Sequence, residues 1–175
     1  MSDATNVQAF YPADEKPIPA WPVPAPLPSR ETRVYVLGMK PVNGKIQIYF
    51  VERPQLPDPS KDGPLEIRVP SDCVIVLKLD QAWAWEFRHD NAVMLGPSKY
   101  PEPQRYFNLV PEILDGKCQK VQFNALYFNG NDKTNSDPYA LYVNLDQEMP
   151  DGSPAQQLMI RIDPDIMNPG DLPHP

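Results

Sequence analysis

Glycine is scarce, 8 in 175 residues, and every one stands alone. Isolated glycines mark single turns, not a glycine-rich loop. Histidine is scarcer still, with only His89 and His174, the second in a proline-rich tail, which excludes a His-rich metal centre. The two cysteines, Cys73 and Cys118, allow at most one bridge, and both are expected to be free thiols. Basic residues are outnumbered 16 to 23 by acidic ones, giving a formal charge of -7. Such a chain repels phosphate backbones and anionic lipid, so neither nucleic acid nor a membrane surface is an expected partner. No apolar run approaches the roughly 18–20 residues needed to cross a bilayer, and the first residues, MSDATNVQAFYPADEK, have neither a basic start nor an apolar stretch. The expected location is therefore the cytoplasm.

What the chain has in excess is proline, 24 residues, against a usual share of about 5%. Between Thr32 and Ile162 the pattern is short stretches with every second residue apolar, interrupted by Pro, Gly, Asn or Asp. That is the signal of strands. Val34 to Met39 and Ile46 to Val51 flank an Asn43-Gly44 pair, which tolerates the positive φ angles of a tight hairpin. Leu65, Ile67 and Val69 alternate with charged residues, and Cys73 to Leu79 is rich in β-branched residues. Trp83, Trp85 and Phe87 fall on one face of a strand read over Gln81 to Arg88. Val121, Phe123, Ala125 and Tyr127 repeat the period of two, as do Tyr139 to Leu145 and Leu158 to Ile162. The best helical candidate, Asn108 to Asp115, is interrupted by Pro111, leaving at most one turn. The expectation is an all-β, immunoglobulin-like antiparallel β-sandwich of seven to eight strands, with Tyr139 as a possible corner tyrosine tying back to its own loop. The domain layout is a Pro-rich extended arm over 1–31, a sandwich over 32–166 and a Pro-rich tail over 167–175.

The end of the chain, YALYVNLDQEMPDGSPAQQLMIRIDPDIMNPGD, reads as strand, turn, strand and an Asp163-Pro164-Asp165-Ile166 exit. It resembles the bacterial DP-EP family, small all-β proteins without an established function, some of which carry a nucleotide synthetase label. The resemblance covers about the last forty residues and implies no catalytic residues. Activating a nucleotide normally calls for backbone N–H groups in a Gly-rich loop ahead of a helix, plus a Lys or Mg²⁺. No such loop is written here.

The arm holds seven prolines, and from Trp21 to Pro28 every second residue is one. Residues before proline avoid the helical region, so Pro17 to Pro28 is expected to extend over roughly 37 Å at about 3.1 Å per residue. Pro22, Pro24, Pro26 and Pro28 leave one flank without donors, while Trp21, Val23, Ala25 and Leu27 keep theirs on the other. Such a segment can seal one sheet edge and refuse a further strand. A solvated linker or a proline ligand for another domain is the plainer alternative.

Candidates for chemistry are few. His89 sits in a turn-like Arg-His-Asp-Asn stretch with no nucleophile motif beside it. Cys118, next to Lys117 and Lys120, is the more plausible reactive thiol. The loop over 129–137 offers oxygen ligands from Asn129, Asn131, Asp132, Asn135 and Asp137 to a Ca²⁺, but lacks the closing Glu of an EF-hand. Asp163 and Asp165 form a carboxylate pair of the kind glycoside hydrolysis uses. Tyr100, Tyr106 and Phe107 are candidates for a sugar-stacking face. The leading expectation is a non-enzymatic interaction module, without cofactor, whose arm docks on its own or a neighbouring subunit to build a homo-oligomer or hold a partner protein. The alternative is a small-ligand module for carbohydrate or Ca²⁺ using the 97–107 or 129–137 loop. An enzyme ranks last, since no nucleophile, base and orienting group stand together in the sequence.

Overall fold

The computed structural model describes residues 14–20, 31–55, 63–97, 104–127, 135–147, 150–152, 156–163 and 165–168. Within them the chain forms strands and no helix: β1 (Lys16–Pro17), β2 (Glu31–Val42), β3 (Lys45–Glu52), β4 (Ile67–Arg68), β5 (Cys73–Leu79), β6 (Trp85–Phe87), β7 (Val93–Leu95), β8 (Tyr106–Leu114), β9 (Lys117–Ala125), β10 (Asn135–Gln147), β11 (Gln156–Ile162) and β12 (Asp165–Asn168). Among the described residues no helix is long and apolar enough to cross a membrane. The strands make two sheets. One is ordered β3-β2-β5-β9-β8; the other is built around β10, with β1-β7 and β6 on one side and β11, β12 and β4 on the other.

The Asn43-Gly44 hairpin forms as its sequence indicates: both residues have positive φ, 49° and 72°, and Val42 pairs with Lys45. The same device closes β8 onto β9, where Asp115 and Gly116 sit at φ 50° and 77° and Leu114 faces Lys117. The helical turn expected over Asn108 to Asp115 is thus a strand. Pro111 is tolerated because β8 is, among the described residues, the last strand of its sheet, where a missing donor interrupts no ladder on its outer side. The antiparallel expectation also needs correction, since β2–β5 and β12–β4 run parallel. After β3 the chain crosses to the other sheet, lays down β4 and returns as β5, so a strand takes the place of a crossover helix.

The strand count exceeds seven or eight because two long partners of β10 are interrupted. β11 and β12 keep one register along it, Leu141 opposite Ile162 and Pro138 opposite Asp165. On the other side Val143 faces Phe87 and Leu141 faces Val93, so the partner advances six residues while β10 advances two. The surplus is the Arg88-to-Ala92 excursion. Tyr142 closes both its ends: its carbonyl accepts from the Arg88 N–H at 3.0 Å and its N–H donates to the Ala92 carbonyl at 2.9 Å.

One core lies between the sheets, drawing Tyr35, Leu37, Ile75, Leu77 and Phe123 from one and Trp85, Phe87, Tyr139, Leu141 and Val143 from the other. The expected Trp83–Trp85–Phe87 stripe is broken. Trp85 and Phe87 are buried, but Trp83 lies in a turn, 37% exposed, with its indole N–H on the Met39 carbonyl. Tyr139 is wholly buried and donates to the Leu65 carbonyl at 3.2 Å, 74 residues away, so it joins two distant elements instead of making a local corner.

Residues 14–20 belong to the sandwich. Lys16 and Pro17 pair with Leu95 and Met94, Ile18 enters the core, and the Pro19 carbonyl accepts from the Asn108 N–H at 2.9 Å. The segment therefore ties an edge of one sheet to β8 of the other. The four residues expected to dock, Trp21, Val23, Ala25 and Leu27, lie outside the described residues.

Candidate functional site

On the outward face of the β10 sheet, Met94, Ala140 and Tyr142 form a small second cluster with Met159. Tyr142 and Arg161 face each other across β10 and β11. The docked N-terminal segment brings Glu15 to them, from 127 residues before Tyr142 and 146 before Arg161. The Tyr142 hydroxyl donates to Glu15 Oε2 at 2.5 Å. Arg161 Nε donates to Glu15 Oε1 at 3.0 Å and to the Tyr142 oxygen at 3.1 Å, and Nη2 also reaches Oε1. On the other edge of the guanidinium, Nη1 pairs with Asp163. The burial is graded. The Glu15 side chain is 3% exposed, that of Arg161 38% and that of Asp163 58%, so the arginine is fixed from inside and faces outward.

A cavity of about 210 Å³ opens beside this group, lined by Asp14, Glu15, Gly96, Pro138, Arg161 and Asp163 among others. Gly96 is there for space: a Cβ would stand 3.1 Å from the Pro138 ring and 3.3 Å from its carbonyl, which already accepts the Gly96 N–H at 2.8 Å. A second, larger cavity of about 580 Å³ lies where Ile18 and Ala20 meet β5, β8 and β9.

Burial, followed by the hydrogen bond to Glu15, pushes the Tyr142 hydroxyl up to about 12, while the Glu15 carboxylate holds Arg161 firmly protonated. At neutral pH Tyr142 is a neutral donor. Because the folded value lies above the ordinary 10.0, this group's contribution to stability is complete below pH 10 and is lost as pH climbs towards 12. Thermal melts from pH 9 to 12 should show the wild type losing stability across that window and Tyr142→Phe losing less. Parallel curves would contradict the assignment.

Residues singled out in the sequence fall elsewhere. Tyr106 and Phe107 are buried, Tyr106 edge-on to Phe123 at 6.2 Å, so neither offers a face to a sugar. Asp137 is also buried, its Oδ2 accepting from Arg105 Nη1 at 3.0 Å and the Tyr106 hydroxyl at 2.7 Å. That carboxylate oxygen is used inside the protein. Tyr100, Asn129, Asn131 and Asp132 lie outside the described residues, as does the side chain of Asn135. Among the described residues no group of three or more His, Cys, Asp or Glu is arranged to hold a metal ion. Cys118, expected to be activated by its lysines, is wholly buried, and desolvation pushes its thiol up instead. Cys73 and Cys118 are both buried and form no disulfide. His89 is exposed and reaches Glu86 at 3.3 Å.

Comparison with known families decides the relationship: a family model described as "predicted novel nucleotide synthetase", pNTSase1, matches residues 14–171. The chain belongs to the pNTSase1 family. This match spans nearly the whole chain and replaces the DP-EP resemblance, which rested on a short exit motif. It also overturns the reading as a purely non-enzymatic structural module, because the family is described by an enzymatic activity. Neither a curated protein nor a solved structure gives a match. The pNTSase1 match runs from the segment carrying Glu15 to beyond Arg161 and Asp163, so both halves of the cluster lie within the family's span.

Sequence reasoning missed Glu15, Tyr142 and Arg161. The one local sign was Arg161 between Ile160 and Ile162, a charge facing outward on an alternating strand. Nothing local pointed from it to Glu15.

Proposed function

We propose that the protein binds the polyphosphate of a Mg²⁺-complexed nucleotide at the Arg161 cavity, as part of the nucleotide-joining or nucleotide-activating chemistry for which its family is named. The observation that carries this reading is a guanidinium held along its Nε/Nη2 edge by a carboxylate only 3% exposed, with its Nη1 paired to the exposed Asp163 and both side chains among those lining the cavity. A pre-oriented guanidinium binds phosphate oxygens at low entropic cost, since its fork matches their geometry. Asp163, the exposed partner, gives way to the phosphate; Glu15 and Tyr142 stay and hold the arginine in place.

The charges around the cavity set a condition. Asp14, Glu15 and Asp163 outnumber Arg161, so a bare polyphosphate meets net repulsion, whereas one carrying Mg²⁺ is partly neutralised and is tolerated. The ion comes with the substrate. A reducing, cytoplasmic location belongs to the same reading and accords with two cysteines that form no disulfide.

The test is calorimetric titration of the full chain with ATP, GTP, CTP and UTP, each with and without excess Mg²⁺. At least one is expected to bind with Mg²⁺ and to weaken as salt is raised. Absence of heat from all four in the presence of Mg²⁺ overturns the proposal.

A further inference from the structure

The Arg161 cavity is too small for a whole nucleotide, since small-molecule sites usually need about 300–1,000 Å³. The second cavity, at about 580 Å³, falls inside that range and differs in chemistry. None of its lining residues is charged: Val74 and Val110 supply apolar side chains, Asn108, Gln122 and Asn124 supply carboxamides, and Ile18 and Phe123 border it while belonging to the core.

Its shape has a local cause. The β8–β9 ladder shifts register between Phe107 and Val110, and Asn108 takes a φ of 57° in that bulge, a conformation asparagine tolerates better than most residues. The bulge lifts Asn108 and Leu109 out of the ladder, and the Asn108 N–H fastens to the Pro19 carbonyl, which sets Ile18 and Ala20 along the rim. On the floor, Gln122 and Asn124 are two apart on β9 and project to one face, about 7 Å from each other along the strand. Both are half-buried, and neither carboxamide is hydrogen-bonded to a described residue.

We infer that this cavity binds a nucleobase, presented as a nucleoside or as the base half of a nucleotide; the inference rests on the nucleotide reading and names the recognition subsite. A carboxamide offers a donor and an acceptor side by side, which is what the edge of a purine or pyrimidine pairs with, and the aliphatic side chains of Val74 and Val110 offer apolar contact to a ring face. A neutral lining selects a neutral group and disfavours phosphate. The segment that carries Glu15 into the Arg161 cluster carries Ile18 and Ala20 into this wall, and extended chain from Glu15 to Ala20 spans at most about 17 Å at about 3.4 Å per residue.

The experiment titrates the full chain with adenosine, guanosine, cytidine and uridine by saturation-transfer NMR and calorimetry, and separately with Mg²⁺-tripolyphosphate. At least one nucleoside should bind without phosphate. Gln122→Ala and Asn124→Ala are each expected to weaken it roughly five- to tenfold, as loss of one hydrogen bond does. Both amides lie on a half-exposed face, and thermal melts verify that the variants remain folded. No binding by any nucleoside, or equal affinity in the Gln122→Ala/Asn124→Ala double variant, overturns the inference. Tripolyphosphate separates the two readings: if it binds in an Arg161-dependent way while no nucleoside does, the base site alone fails. If nucleosides bind and tripolyphosphate does not, the phosphate site alone fails.

Discussion

Asp137→Ala is expected to lower the free energy of unfolding by about 3–5 kcal/mol, the usual result of removing one partner of a buried ion pair. The side chains of Arg105 and Asp137 are 3% and 7% exposed, and Asp137 Oδ2 also takes the Tyr106 hydroxyl. Without the carboxylate the guanidinium stays in the interior facing lost charge, and the Tyr106 hydroxyl loses its acceptor. Asp137→Asn should cost less than Asp137→Ala, because it retains an oxygen for Tyr106. The contrast is Glu112→Ala: its partner Lys120 lies at 2.5 Å, but with 60% and 30% exposure the pair is screened and its loss should stay within about 1 kcal/mol. Urea unfolding of the three variants decides it, and an Asp137→Ala cost no larger than that of Glu112→Ala would contradict the packing described.

Arg161→Gln should weaken Mg²⁺-nucleotide binding by about tenfold to hundredfold, the equivalent of the roughly 1.5–3 kcal/mol typical of hydrogen bonds to a charged group. Asp163→Asn should act in the opposite direction and tighten binding a few-fold, since Asp163 competes for Nη1. The two signs together separate a phosphate contact from general damage to the sheet. Arg161→Gln also leaves Glu15 inside without its cation. With the guanidinium 38% exposed, the full buried-pair figure does not apply, and a cost of about 1–2 kcal/mol is expected. Calorimetry measures the first effect and thermal melts the second; unchanged affinity in Arg161→Gln would remove the arginine from the site.

Strands and turns were legible where the information is local. Asn43-Gly44 announced its hairpin, and Cys73 to Leu79 reads as a strand and is one. Asp115-Gly116 carries the same signal, but Pro111 drew the reading towards a broken helix, because nothing local says that β8 lies at a sheet edge. Trp83 fits the alternation of Trp85 and Phe87 yet falls in a turn, since period two over a few residues cannot mark where a strand starts. The site was not legible. Glu15 sits 146 residues from Arg161, and they meet only because Lys16 and Pro17 add to β7 while β11 returns along β10. The absence of a Gly-rich loop, which argued against nucleotide chemistry, excludes one way of holding phosphate; a guanidinium braced by a buried carboxylate is another.

The account turns on Glu15 bracing Arg161, and the most direct measurement is a double-mutant cycle of Glu15→Gln and Arg161→Gln on unfolding free energy, with nucleotide affinity recorded for the same four proteins. A coupling of about 1–2 kcal/mol is expected, together with an affinity in the double variant no lower than in Arg161→Gln alone. Strictly additive stabilities, with Glu15→Gln binding nucleotide as tightly as the wild type, would contradict it.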